Sequence, residues 1–139
     1  MFEMRYVSEL DQPFWFTLDV HISEREFALK VRDKRGYIIL DSGTPIGIMR
    51  YNLFWDNTPF LTLIYLEAAY RGKGFGTQAI LCWETEMRTL GYQMAMTSTR
   101  VDEKAQHFYR ALGYLDKGAL FLDHTLMEQP QELFLMKVL

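Results

Sequence analysis

Cysteine is nearly missing from this chain: Cys82 is the single one among 139 residues. That excludes a disulfide framework within one chain. With three histidines, no cluster of His, Cys and carboxylates shows metal-ligand spacing, so no metal is expected. An excess of basic residues is also lacking. The formal net charge is -3, which argues against broad nucleic-acid binding, because that binding depends on Lys- and Arg-rich surface. No apolar run approaches the ~20 residues of a membrane span, so no membrane association is expected. Met1-Phe2-Glu3-Met4-Arg5 lacks a basic segment followed by an apolar one, hence no secretory leader is expected and a cytoplasmic location follows by default. Cys82 lies beside Ile80, Leu81 and Trp83 in a helical run, and no neighbour in sequence supplies a base. It is expected to be buried and inert.

What is present reads as one α/β domain over residues 1-139, long enough to bury a single core. Met4 to Val7 suits a short first strand. Asp11-Gln12-Pro13 marks a turn or helix start, and the aromatic cluster Phe14-Trp15-Phe16 has no clear period. Ser23-Glu24-Arg25-Glu26 is a capping box, predicting a helix from Glu24 to Arg32 that Gly36 ends. Three strands follow, Tyr37 to Leu40, Pro45 to Trp55 and Phe60 to Glu67, separated by turns at Asp41 to Thr44 and Asp56 to Pro59. The next helix places Ile80, Trp83, Met87 and Leu90 on one stripe, with Glu84, Glu86 and Arg88 mostly off it, and stops at Gly91. Met94 to Thr99 returns after this crossover and should pair parallel with Phe60 to Glu67. Asp102 is positioned to cap a last helix ended by Gly113. Strands at Ala119 to Leu122 and Glu132 to Val138 enclose a polar loop, Asp123 to Gln131. The apolar last strand, Leu133 to Leu139, is a candidate for pairing across a homodimer.

The stretch carrying chemistry is Arg71-Gly72-Lys73-Gly74-Phe75-Gly76-Thr77, between an aliphatic strand and an amphipathic helix. At such a junction the first helical amides lack partners and the positive end of the helix dipole faces outward, which suits phosphate. The nucleoside-triphosphate loop does not fit, because Lys73 precedes the last two glycines. The dinucleotide fingerprint does not fit either, because Gly72, Gly74 and Gly76 are evenly spaced.

Arg71, Gly74 and Gly76 fill the acyl-CoA pattern of the GCN5-related N-acetyltransferase (GNAT) superfamily: Gln or Arg, two residues, Gly, one residue, then Gly or Ala. A second family pattern reads here as Asp102, Ala105, Phe108-Tyr109 and Gly113-Tyr114, departing only where Asp102 replaces the usual Asn. The element order agrees from Met4 to Val138, so the chain resembles the family along nearly its whole length. The resemblance implies a central twisted sheet, mixed but mostly antiparallel, with a parallel pair splayed at the acetyl-CoA site and helices on its faces. It implies an N-acetyltransferase that uses acetyl-CoA as cosubstrate and passes the acetyl group directly to a primary amine, on a small molecule or a peptide. A non-catalytic acyl-CoA sensor or scaffold on the same fold is the alternative.

By the same resemblance, Arg71, Gly72, Lys73, Gly74, Phe75, Gly76 and Thr77 hold the CoA pyrophosphate. The backbone of Leu66 or its neighbour polarises the thioester carbonyl, and Ala68, where relatives often have Pro, contributes backbone. Tyr109 is the acid that protonates the departing thiolate, and Glu67 is the candidate base. Ser98, Thr99, His107 and His124 are weaker alternatives for orienting water or accepting the proton. Asp102 and Lys104 lie where relatives contact the cofactor. An ionised Asp cannot donate a hydrogen bond and would repel phosphate, which Lys104 is placed to offset.

Overall fold

The computed structural model describes every residue from Met1 to Leu139. Seven strands and four helices follow in the order β1 Phe2–Tyr6, α1 Gln12–Leu18, α2 Glu24–Asp33, β2 Gly36–Asp41, β3 Thr44–Phe54, β4 Thr58–Leu66, α3 Phe75–Thr89, β5 Met94–Arg100, α4 Ala105–Ala111, β6 Leu115–Leu120 and β7 Glu132–Val138. The sheet order is β1-β2-β3-β4-β5-β7-β6. β4 and β5 run parallel, paired at Phe60↔Met96 and Leu61↔Thr97. The β1–β2, β2–β3, β5–β7 and β6–β7 ladders are antiparallel. This is the expected mixed, mostly antiparallel sheet. No helix is long and apolar enough to cross a membrane.

The chain packs as two units, Met1–Asn52 with Thr62–Glu86, and Leu53–Leu61 with Met87–Leu139. In the first, Val7, Trp15, Phe27, Ile38, Leu40 and Ile48 form the core, with Phe14, Phe16, Leu18, Ile22, Val31 and Leu63 packed on it. The aromatic cluster without a clear period is therefore α1. Pro13 stands in its first turn, where no amide is missed, and Trp15 is fully buried. Below it lies a buried polar knot. Asp19 accepts from Trp15 Nε1 at 3.0 Å, Arg50 Nε at 2.8 Å and the His21 amide at 3.0 Å.

α2 starts as the capping box requires, the Ser23 hydroxyl accepting from the Glu26 amide at 3.1 Å. Its end differs from expectation. Lys34, not Gly36, takes the left-handed position at φ 55°. Arg35 N bonds Lys30 O at 3.1 Å, which satisfies the last carbonyls in the way glycine-ended helices do. Gly36 instead opens β2, where Val7 Cγ1 leaves no room for a β-carbon.

Other boundaries shift for similar tertiary reasons. Pro59 lies inside β4 rather than in the turn, which uses Trp55 and Asp56 at φ 53° and 60°. On α3, Ile80, Trp83, Glu84 and Met87 are fully buried while Leu90 is exposed, so the buried face includes a carboxylate and ends a turn earlier than hydrophobicity alone indicates. Cys82 and Leu81 lie on the exposed face, against the expected burial of the thiol. Local burial and then the Glu86 carboxylate push the Cys82 thiol up from its ordinary value, so it stays a thiol.

In the second unit Met96, Tyr109, Tyr114 and Leu135 are buried. α4 ends as read: Gly113 has φ 97°, and Tyr114 N bonds Tyr109 O at 3.1 Å. The sixth strand lies earlier than expected, at Leu115–Leu120, and all its residues are exposed. β7 is flanked by β5 and β6, so both its edges are already hydrogen-bonded and it is not free to extend the sheet across a dimer.

Candidate active site

The first unit holds the glycine loop. After β4, Glu67 begins a short 3-10 turn over Ala68–Tyr70, and its amide bonds the Ile46 carbonyl at 2.8 Å. Gly72 and Gly74 have φ of 71° and 90°, a backbone region in which a β-carbon would clash with its own chain. Nothing else lies within 4 Å of where either β-carbon would stand, so the loop faces open space. The first intrahelical bond of α3 runs from Gln78 N to Gly74 O at 3.0 Å. The amides of Phe75, Gly76 and Thr77 precede it, and no acidic side chain occupies that first turn. Three unspent donors at the positive end of a 15-residue helix form an anion cradle. Phe75, Gly76 and Thr77 are thus helical, one turn earlier than the sequence indicated.

Around the cradle, Arg71 Nε donates to the Leu66 carbonyl at 3.0 Å, and its guanidinium lies 4.9 Å from the centre of the Tyr65 ring. This double anchor ties the loop to the end of β4. Lys73 is exposed, its ammonium 5.8 Å from the centre of the Tyr70 ring. Glu67 is half-buried and its carboxylate does not cap the following turn. Opposite this end of β4 stands a residue the sequence reading passed over. Gly47 packs so closely that a β-carbon there would lie 2.5 Å from Leu66 Cδ2 and 2.8 Å from the Tyr65 carbonyl oxygen.

The second unit holds Tyr109, 6% exposed, with the Phe108 and Tyr114 rings edge-on at 5.2 and 5.8 Å between centroids. On β5, the buried Thr97 donates its hydroxyl to the Leu61 carbonyl at 3.1 Å. Burial raises the Tyr109 phenol above its ordinary value, and the Thr97 hydroxyl pulls it part of the way back. Thr97 was not singled out in the sequence, where the neighbouring Ser98 and Thr99 were. Ser98 instead donates to Glu132 at 2.6 Å, and Thr99 is buried.

Asp102 does not cap α4; Lys104 occupies that position, with no side-chain bond to the helix. Asp102 is exposed and gripped by Arg100 through Nε at 3.1 Å and a terminal nitrogen at 3.0 Å. Arg100 holds its carboxyl below the usual range. His107 and His124 are both exposed, the latter 3.8 Å from Asp123. No group of three His, Cys, Asp or Glu side chains is placed to hold a metal ion.

The family model for the acetyltransferase (GNAT) family matches residues 4–114. The chain belongs to that family. No curated protein sequence matches the chain at a significant level, whereas similar folds are numerous among solved structures. A GNAT-family acetyltransferase from Bacillus cereus ATCC 10987 is 21% identical with a TM-score of 0.77, covering 99% of this chain and 97% of its own. The ribosomal-protein-S18-alanine N-acetyltransferase of Escherichia coli is 15% identical, TM-score 0.80, over 99% of this chain and 94% of its own. Arabidopsis thaliana Naa50, solved with the bisubstrate analogue CoA-Ac-MVNAL, is 11% identical, TM-score 0.80, over 99% of both chains. At these identities the likeness is one of fold. The GNAT assignment rests on the family match and agrees with the cradle after β4 and with Tyr109 on α4.

Proposed function

We propose that this GNAT-family protein transfers an acetyl group from acetyl-CoA directly to a primary amine. The observation that carries this reading is the cradle at Gly72 to Thr77: two left-handed glycines and three unspent amides at a helix start free of acidic side chains. A pyrophosphate fits that chemistry, with Arg71 and Lys73 supplying positive charge beside it. The Glu67 amide is spent on Ile46, which leaves the Leu66 N–H as the donor that polarises the thioester carbonyl. Glu67 takes a proton from the acceptor's ammonium, and the free amine attacks the thioester carbonyl. Tyr109 gives its proton to the departing sulfur, and orientation of the two bound reactants supplies much of the rate.

The acceptor class draws support from relatives named for acting on a ribosomal-protein alanine and from one bound to a CoA-peptide conjugate. Both point to an amine on a peptide, while a small-molecule amine fits the same chemistry. A second reading, an acyl-CoA sensor that acetylates nothing, is favoured by one observation: Tyr109 is buried, 6% exposed.

Calorimetric titration with acetyl-CoA, using ATP and NAD as controls, tests the donor site. Saturable binding of acetyl-CoA alone is expected, and a folded protein that binds none would remove the reading. Release of free thiol with any amine then separates the enzyme from the sensor.

A further inference from the structure

We propose that Arg71 is a positioning residue for the reaction: it pins the peptide unit that follows Leu66 and so aims the Leu66 N–H. The proposal rests on the reading of that N–H as the donor to the thioester carbonyl. Two planar peptide units meet at the Leu66 α-carbon. The first carries the Tyr65 carbonyl and the Leu66 N–H, and Gly47 packs on it so closely that a β-carbon there would lie 2.8 Å from the Tyr65 oxygen. The second carries the Leu66 carbonyl and the Glu67 N–H, which leave a trans unit from opposite edges. Both are held. Arg71 Nε donates to the carbonyl at 3.0 Å, and the Glu67 N–H donates to the Ile46 carbonyl at 2.8 Å. A unit gripped at both edges resists turning, and with its neighbour packed against Gly47 the direction of the Leu66 N–H is set.

Ile46 and Gly47 belong to β3, so one side of this strand end is braced by the sheet. The brace on the other side comes from the glycine loop, which ties the aim of the donor to the segment that cradles phosphate. The Tyr65 ring, 4.9 Å from the guanidinium, steadies the plane in which Nε–H points. Nε carries one of the five N–H groups of a guanidinium, so the anchor leaves the charge of Arg71 beside the cradle. When the amine attacks, a C–N bond forms and the carbonyl electron pair moves onto oxygen. A donor aimed in advance stabilises that oxyanion without reorganising at the moment of reaction.

The test compares Arg71→Gln with Arg71→Met. Both lose the charge. Counted outward from the α-carbon, Gln Nε2 stands where Arg Nε does and carries N–H, whereas Met places a methyl group there. The probe is acetyl-CoA labelled with carbon-13 at the thioester carbonyl, whose NMR signal moves downfield as a donor polarises it. At saturation the unmodified protein should show that shift, Arg71→Gln should keep most of it, and Arg71→Met should lose most of it. In the protein without ligand, hydrogen exchange at the Glu67 amide should run about tenfold faster in Arg71→Met than in Arg71→Gln, the worth of one hydrogen bond. Circular dichroism checks that both variants are folded. Equal carbonyl shifts in the two variants overturn the proposal; where Arg71→Met binds too weakly to be saturated, equal exchange rates overturn it. Failure of the underlying reading is recognised separately, as an unmodified protein that binds no acetyl-CoA or binds it without moving the carbonyl signal.

Discussion

Gly47 and Leu66 meet so closely that the space for one β-carbon is already filled, by Leu66 Cδ2 at 2.5 Å and the Tyr65 carbonyl oxygen at 2.8 Å. A side-chain methyl can rotate away, but a strand carbonyl cannot do so without moving its backbone. Gly47→Ala should therefore displace the end of β4, from which the Leu66 amide and the Arg71 anchor are both positioned. A loss of about 1–3 kcal/mol in stability is expected from overpacking. Thiol release should fall further than stability accounts for, measured at a temperature where the variant is folded. Unchanged turnover would show that the end of β4 tolerates the shift.

Tyr109→Phe removes the proposed acid while keeping the ring among Phe108 and Tyr114. Binding of acetyl-CoA should persist, and thiol release should drop by roughly a hundredfold or more, the usual contribution of a positioned acid. Calorimetry and a thiol assay on the same preparation check both halves. Full turnover by this variant would take Tyr109 out of the mechanism.

Asp19 should govern acid stability. Burial drives its carboxyl up, but Arg50, the His21 amide and Trp15 together reverse that and hold it below the ordinary range. A depressed native value means that its stabilisation is complete above the unfolded value, about 3.9, and is lost as pH falls below that towards the native one. Asp19→Ala leaves the Arg50 guanidinium, 13% exposed, without its partner, at an expected cost of about 3–5 kcal/mol. Urea unfolding at pH 7 and pH 3 checks this, since the variant's deficit should shrink at the lower pH.

Lys30 acts in the same direction at higher pH. Its ammonium donates to the Tyr51 carbonyl at 3.1 Å and to Asn52 Oδ1. Burial first, then the nearby Arg50 and Arg35 charges, lower its pKa to about 8. The unfolded chain, at about 10.4, binds more protons between these values, so Lys30's contribution to stability should rise as pH climbs from 8 towards 10. Lys30→Met should flatten that rise in denaturant midpoints. An equally steep rise in the variant would assign it elsewhere.

The glycine loop was legible because its signal is local. Gly72 and Gly74 require a backbone conformation that other residues resist, and the apolar period before and after them marks a strand and a helix. The capping box at Ser23 and the stop at Gly113 were legible for the same reason. Lys34 was not, because a lysine carries no local signal for the left-handed position, and Gly36, which does, packs against Val7 at the start of β2 instead. Glu84 was not, because a carboxylate at helical spacing from Ile80 reads as solvent-facing until its surroundings are known. Asp102 illustrates the opposite error: a plausible cap in sequence, it is drawn instead to Arg100.

The sequence by itself determined the order of strands and helices after Ser23, the glycine loop between a strand and a helix, and the candidacy of Tyr109, since each depends on residues adjacent in the chain or one helical turn apart. Only the tertiary structure decided that Gly47 braces Leu66, that Asp19 binds Arg50, and that the Thr97 hydroxyl donates to the Leu61 carbonyl. Those partners come from different elements, and strand pairing brings them together. Their energies arise from close packing and desolvation, which exist only once the chain has folded.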